Sequence, residues 1–188
     1  QYNVFDPKHD SRFTAQFWKD HVGPGYAANR PTQPVIRISW NQAVEFCKAI
    51  SAKCGVEITL PTEAQWEFAA RGGIYSKGGY KYSGSNNIDV VAWFTENSDG
   101  KTHPVGTKQA NELGIYDMSG NVWEWCYDWY GPYSSVAITD PAGPSSGSYR
   151  VLRGGGGTGN AAYCRCTNRN YDTPTCTGSY LGLRLVSQ

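Results

Sequence analysis

Residues 112–131 read ELGIYDMSGNVWEWCYDWYG, the densest aromatic run in the chain. Trp123, Trp125 and Trp129 recur at two- and four-residue spacings, and period two over residues 122–126 predicts a strand with alternating faces. Indoles on such a strand stack on sugars or fill a core. An aromatic content of 14% suits a protein whose rings do much of the packing.

Helices are predicted upstream. In LPTEAQWEFAARGG (60–73), Thr62 and Gln65 form a capping box, Glu63 favours the positive helix end, and Arg71-Gly72-Gly73 closes it. Trp66, Ala69 and Ala70 make its buried stripe. In SWNQAVEFCKAISAKCG (39–55), Ser39 and Gln42 repeat the box, Val44, Cys47 and Ile50 share a face, and Gly55 is the stop. PVIRISW (34–40) alternates like a short strand. Residues 1–34 are polar, with turn formers at Asp6-Pro7, Gly23-Pro24-Gly25 and Pro31. Residues 74–112 and 131–148 read as loops, the first broken by VVAWF (90–94). YRVLRGG (149–155) and YLGLRLV (180–186) read as closing strands around NAAYCRCTNRNYDTPTCTGSY (160–180). Two helices among short strands and long loops make an α+β domain, neither a sandwich nor a doubly wound sheet.

The 188 residues suit one domain with a real core. A net charge of +1 provides no phosphate-binding field, so nucleic acid is not an expected partner. No apolar run reaches the roughly 20 residues of a membrane span, so direct membrane insertion is not expected either. Gln1 is not a natural start, which suggests a fragment or a mature form. The six cysteines contain no CxxC, which disfavours zinc-ribbon and thioredoxin chemistry. His9, His21 and His103 form no HxxxH or carboxylate cluster for catalysis. Cys47 is expected as a small core residue.

PVIRISWNQAVEFC, LPTEAQWEFAARGG, THPVGTKQANELGIYDMSGNVWEWCYDWY, RVLRGG and LGLRLV, in that order, closely resemble the formylglycine-generating enzyme family. The resemblance implies a variant of the C-type lectin-like fold with mostly antiparallel strands, as a single domain over residues 1–188. QYNVF resembles the family's first helical segment without its preceding strand. Family enzymes oxidise a substrate cysteine to formylglycine with O₂ and copper held by two cysteines. The frame Arg165, Arg169, Thr173, Pro174, Gly182 and Arg184 aligns those cysteines with Gly156 and Ala161. The resemblance therefore implies a non-enzyme without copper, unless Cys164 and Cys166, two apart on one strand face, form a relocated thiolate pair. Sulfoxide-synthase chemistry lacks an iron-binding His set.

The same frame resembles the variable proteins of diversity-generating retroelements, which end in a hypervariable segment closing with G[FL]RL. Adenine randomisation of AAY codons cannot produce Lys, Glu, Gln, Met or Trp. Residues 160–180 contain none of these, although the same five types are absent throughout 130–187. The implied ligand surface, within 156–180, is Thr158, Gly159, Asn160, Ala162, Tyr163, Cys166, Asn168, Asn170, Tyr171, Asp172, Thr173, Thr175, Cys176, Gly178, Ser179 and Tyr180. Tyr163, Tyr171 and Tyr180 would be anchors among small polar groups, as in paratopes. Arg165, Arg169, Pro174 and Gly182 would hold the frame. A staple from Cys164 or Cys166 to Cys176 would be compatible with binding, and an ordinary Gly/Thr/Asn-rich loop is the plainer reading. The expected partner is a protein or cell-surface component, which puts the cell surface and the extracellular space among the expected addresses. A non-diversified structural accessory domain is the other non-enzymatic reading.

The calcium-sugar motifs EPN, QPD and WND are absent. The family resemblance does imply a structural calcium held by Asp117, the carbonyls of Gly120 and Val122, and Glu124, an oxygen set suited to a hard cation. The alternative is that Asp117 and Glu124 simply accept loop hydrogen bonds.

Overall fold

Both capping boxes form. The computed structural model describes residues 2–11 and 30–187; Gln1, His21 and the Gly23-Pro24-Gly25 turn lie outside the described residues. A short helix α1 (Tyr2–Phe5) lays Tyr2 against Phe46 of helix α2 (Trp40–Cys54). Ser39 Oγ accepts the Gln42 amide at 3.2 Å, and Gln42 Oε1 accepts the Ser39 amide at 2.9 Å. Gly55 ends α2 with φ +71°, a left-handed turn that glycine adopts without a Cβ penalty. After strand β1 (Ile58–Thr59), Thr62 and Gln65 start helix α3 (Glu63–Ala70) in the same way. The buried face of α2 is Trp40, Ala43, Phe46 and Cys47, with Val44 and Ile50 only partly buried.

The expected strand at 34–40 is absent. Arg37 sits at φ +61°, which breaks the pleat, and Ile36 and Ile38 both turn fully inward. VVAWF divides into a short helix α4 (Ile88–Val91) and strand β2 (Ala92–Trp93). Strand β2 pairs in parallel with β3 (Ser119–Gly120), where a Cβ on Gly120 would lie 2.3 Å from the Trp93 carbonyl.

The central sheet has four strands in the order β6-β5-β4-β7: β4 (Trp123–Trp129), β5 (Arg150–Arg153), β6 (Arg169–Asp172) and β7 (Leu181–Gly182). β4, β5 and β6 run antiparallel in succession, whereas β7 lies parallel to β4. The 180–186 stretch splits, because β8 (Val186–Ser187) leaves to pair antiparallel with β1. Among the described residues, three of the five strand pairings are antiparallel, as expected, and two are parallel. Strand β6 was not legible as a strand: Arg-Asn-Tyr-Asp has no apolar alternation, and only pairing with β5 makes it extended.

Strand β4 is buried on both faces. Trp123 and Trp125 pack with Ile38, Trp40, Phe46, Leu60 and Leu181, while Cys126 packs with Trp66, Ala70, Met118 and Val151. Three buried indole N–H groups are partnered: Trp125 donates to the Ile38 carbonyl, Trp40 to the Cys126 carbonyl, and Trp66 to Glu124. The Arg150 guanidinium lies 3.6 Å from the Trp40 ring centre and 3.4 Å from that of Trp129.

Arg153, with no exposed surface, donates to Glu63 Oε1 at 2.9 Å and to the Cys166 carbonyl at 2.6 Å, and also pairs with Glu67. Removing one partner of a buried ion pair strands the other. Arg153→Ala should therefore lower the unfolding free energy by about 3–5 kcal/mol, read as a fall in the urea midpoint at unchanged slope. A loss below about 1 kcal/mol would show that the network is not structural.

Candidate functional site

Glycines set the path of the chain after β5. Gly154 and Gly155 have φ of +96° and +78°, and a Cβ on Gly155 would sit 3.0 Å from both Cys164 Sγ and the Tyr163 carbonyl. A Cβ on Gly157 would lie 2.6 Å from the Lys101 carbonyl. The Gly157 amide donates to the Asn121 carbonyl, and the Thr95 amide to that of Gly159. The Asn160 side chain and carbonyl then receive the amides of Ala162 and Tyr163. Residues 160–164 form a turn held by backbone bonds, which leaves the Asn160 and Tyr163 side chains facing solvent while Cys164 turns inward.

Most residues of the expected set reach the surface at least in part. Thr158, Asn160, Tyr163, Tyr171, Thr173 and Thr175 are exposed; Gly159, Ala162, Asn168, Asn170, Asp172, Cys176, Gly178 and Ser179 are half-buried. Tyr163 and Tyr171 each expose 45% of their surface. Tyr171 forms a ring cluster with Tyr130 (4.3 Å) and Tyr149 (4.9 Å), two residues outside the expected segment. Their signal is topological, because β6 lies on β5 and Tyr149 immediately precedes β5.

Two expected contact residues are corrected. Cys166 is only 1% exposed: its Sγ points at the Ala70 carbonyl and its amide donates to the Lys81 carbonyl. Tyr180 is half-buried against Gly178, with its hydroxyl held by Asp172 and its carbonyl accepting the Trp123 amide. Burial pushes that phenol up to about 12, and Tyr180 belongs to the support rather than to the anchors.

The relocated thiolate pair does not form either. Residues 161–168 are turns, so the two-residue strand rule does not apply. Cys164 faces Tyr82, Val91, Ala92 and Phe94, whereas Cys166 enters the Trp66 and Met118 cluster. Burial pushes Cys164 up to about 12 and Cys166 to about 11, the opposite of what a thiolate ligand needs. All six cysteines are free, so no staple reaches Cys176. Gly156 is buried beside Trp123, and Ala161 packs on the edge of the Cys164 cluster.

The frame residues act as expected. Arg169 donates to both Glu63 oxygens at 2.8 and 2.6 Å and to the Gly131 carbonyl at 2.8 Å. Arg165 donates to the Ala162 carbonyl, and the turn at Pro174 is closed by the Cys176 amide on the Thr173 carbonyl. A Cβ on Gly182 would lie 2.7 Å from the Val35 carbonyl.

In the 117–124 loop, Asp117 adopts φ +58° and its Oδ2 accepts the Gly106 amide at 2.7 Å. Glu124 receives Arg184 through both oxygens at 2.7 and 2.8 Å, and also Trp66. The Gly120 carbonyl accepts the Val122 amide. Burial raises the Asp117 carboxyl above its usual range; the Gly106 bond opposes this and the Glu124 charge adds to it. Arg184 pairs with Glu124, and Asp117 forms no ion pair among the described residues, which leaves a negative excess on an oxygen-only loop. Among the described residues no three His, Cys, Asp or Glu gather as a metal cluster, and no helix is long and apolar enough to cross a membrane. His103 is stacked on Trp93 at 3.8 Å and bonded to the Ser98 carbonyl, a packing role.

The sulfatase-modifying factor enzyme 1-like domain family matches residues 4–188. The formylglycine-generating enzyme of Streptomyces coelicolor is 35% identical over 177 residues, covering 84% of this chain and 54% of that protein. The chain thus spans about half the length of that relative. Among solved structures, Treponema denticola variable protein 1 superposes with a TM-score of 0.77 at 34% identity, covering 82% of this chain and 70% of the other. PvdO from Pseudomonas aeruginosa gives 0.71 at 27% identity, covering 85% and 63%.

The thiol geometry has a direct readout. With a chromogenic disulfide reagent, exposed Cys54 should react at once, half-buried Cys176 slowly, and Cys47, Cys126, Cys164 and Cys166 only on unfolding. Rapid reaction of Cys164 or Cys166 in the native protein would contradict this placement.

Proposed function

Because the chain belongs to the sulfatase-modifying factor enzyme 1-like family, we propose that it is a non-catalytic binding protein that displays the 156–180 segment on a C-type lectin-like scaffold. The observation that carries the reading is the division of labour within that segment. Arg169, Cys164 and Cys166 are locked into the body, with Gly182 just beyond the segment, while Tyr163, Tyr171 and small polar side chains face solvent. Gly156 and Ala161 stand where the family resemblance places copper-binding cysteines, which supports binding rather than oxidation. The superposition on Treponema denticola variable protein 1 supports a diversified surface of the retroelement type.

The mechanism is selection among surfaces. A fixed backbone positions aromatic anchors of large area and few rotamers, and adaptable hydroxyl and amide groups fill around them. Tyr130 and Tyr149, outside the segment and packed on Tyr171, give one fixed aromatic margin to that surface. The partner is a protein or a cell-surface component.

A display library randomised at Thr158, Asn160, Tyr163, Tyr171, Thr173 and Thr175 tests the reading. Most clones should fold, with changes in unfolding free energy of about 0.5 kcal/mol or less per substituted position, since exposed substitutions are nearly neutral. Binders to chosen protein targets should emerge from it. Widespread loss of folding, or the absence of binders, would sink the proposal. Copper, O₂ and a cysteine peptide should yield no aldehyde; aldehyde formation would restore the oxidase.

We also propose a structural calcium at Asp117, the Gly120 and Val122 carbonyls and Glu124, where a divalent cation would offset the excess negative charge. Calcium should raise the thermal midpoint, and Asp117→Asn should remove most of that rise. A midpoint indifferent to calcium and to chelator would exclude the site.

A further inference from the structure

A cavity of about 800 Å³ lies between α3 and the 131–148 strap, apart from the 156–180 surface except at Arg169. Its size falls within the range of small-molecule sites. Phe68, Tyr133, Val136 and Ile138 on its walls are 57%, 66%, 69% and 57% exposed, a concentration of bare apolar surface that folding alone does not explain. The strap passes over the floor at Gly143, φ +73°, where a Cβ would meet Asp128 Cβ at 3.0 Å.

The charges lining this cavity are paired with one exception. Arg169 is held by Glu63, and Arg71 by Glu67, which also pairs with Arg153. Asp128 is only 3% exposed and lines the floor, and its Oδ2 accepts the Glu63 amide at 2.8 Å. Among the described residues, no Lys or Arg forms an ion pair with it.

We propose that this cavity binds a small organic cation, an amine or guanidine carried on an apolar or aromatic body. The charge would meet Asp128 and the body would lie against Phe68, Val136 and Ile138. The ring faces of Trp129 and Tyr133 are already occupied by Arg150 and Arg169. Charge selectivity therefore falls to the carboxylate, where an ionic hydrogen bond is stronger than a neutral one.

Burial pushes Asp128 up to about 6; the Glu63 amide lowers it, the Glu63 carboxylate raises it and Arg169 lowers it. Arg150, Arg153, Glu67 and Tyr133 are the other charged or titratable groups around the floor. A bound cation favours the ionised carboxylate. Affinity is therefore full above the Asp128 pKa and is lost as pH falls through it.

Calorimetry on the full chain with tryptamine, the neutral tryptophol and the anionic indole-3-propionate tests the proposal. Near pH 7.5, tryptamine should bind at least about tenfold more tightly than tryptophol. Its affinity should fall by about tenfold near pH 5, where tryptamine itself stays charged, while tryptophol is unaffected. Asp128→Asn, which keeps an acceptor for the Glu63 amide, should equalise amine and alcohol. If that variant does not fold, the pH arm on the unaltered chain decides, and Ile138→Ser should weaken both ligands alike. Equal affinity of amine and alcohol, preference for the anion, or no saturable binding at millimolar ligand would each overturn the proposal.

Discussion

One carboxylate ties the structure together. Glu63, at the first turn of α3, accepts Arg153 from β5, Arg169 from β6 and the hydroxyl of Tyr133 from the strap. The positive end of the helix favours an anion at that position, and Asp128 of β4 completes it by accepting the Glu63 amide. Buried Arg153 and partly buried Arg169 would be costly without this acceptor, and with it they fix the order of four chain segments. The edge strand β6 owes its place to this junction and to its ladder with β5, since its own residues carry little apolar content.

That constraint explains how a segment of weak hydrophobicity becomes a defined surface. Inward positions of 156–180 are bonded or buried: Cys164 and Cys166 in separate cores and Arg169 on Glu63. Outward positions make few obligations to the body, so their identity is free to serve contact. The same strap that brings Tyr133 to Glu63 also roofs the Asp128 cavity, so one junction supports two distinct exposed features.

Both capping boxes, the Gly55 stop, the β4 and β5 strands and the glycine approach at 182 were legible because local chemistry dictates them. The alternation at 34–40 misled because Arg37 takes a left-handed conformation that no pattern reveals. Strand β6 and the parallel β4–β7 pairing depend on partners distant in sequence. In the site, a composition rule assigned Cys166 to the surface, whereas only tertiary packing shows it beneath α3. Tyr130 and Tyr149 were missed for the complementary reason: they reach the surface through strand pairing, not through proximity in the chain.

The central claim is that the fold separates a variable exterior from an obligatory interior within one short segment. Deep sequencing of this locus across a natural population measures that separation directly. The account predicts substitutions concentrated at Thr158, Asn160, Tyr163, Tyr171, Thr173 and Thr175, with Cys164, Cys166, Arg169 and Gly182 unchanged. An invariant segment, or substitutions spread evenly over exposed and buried positions, would contradict it.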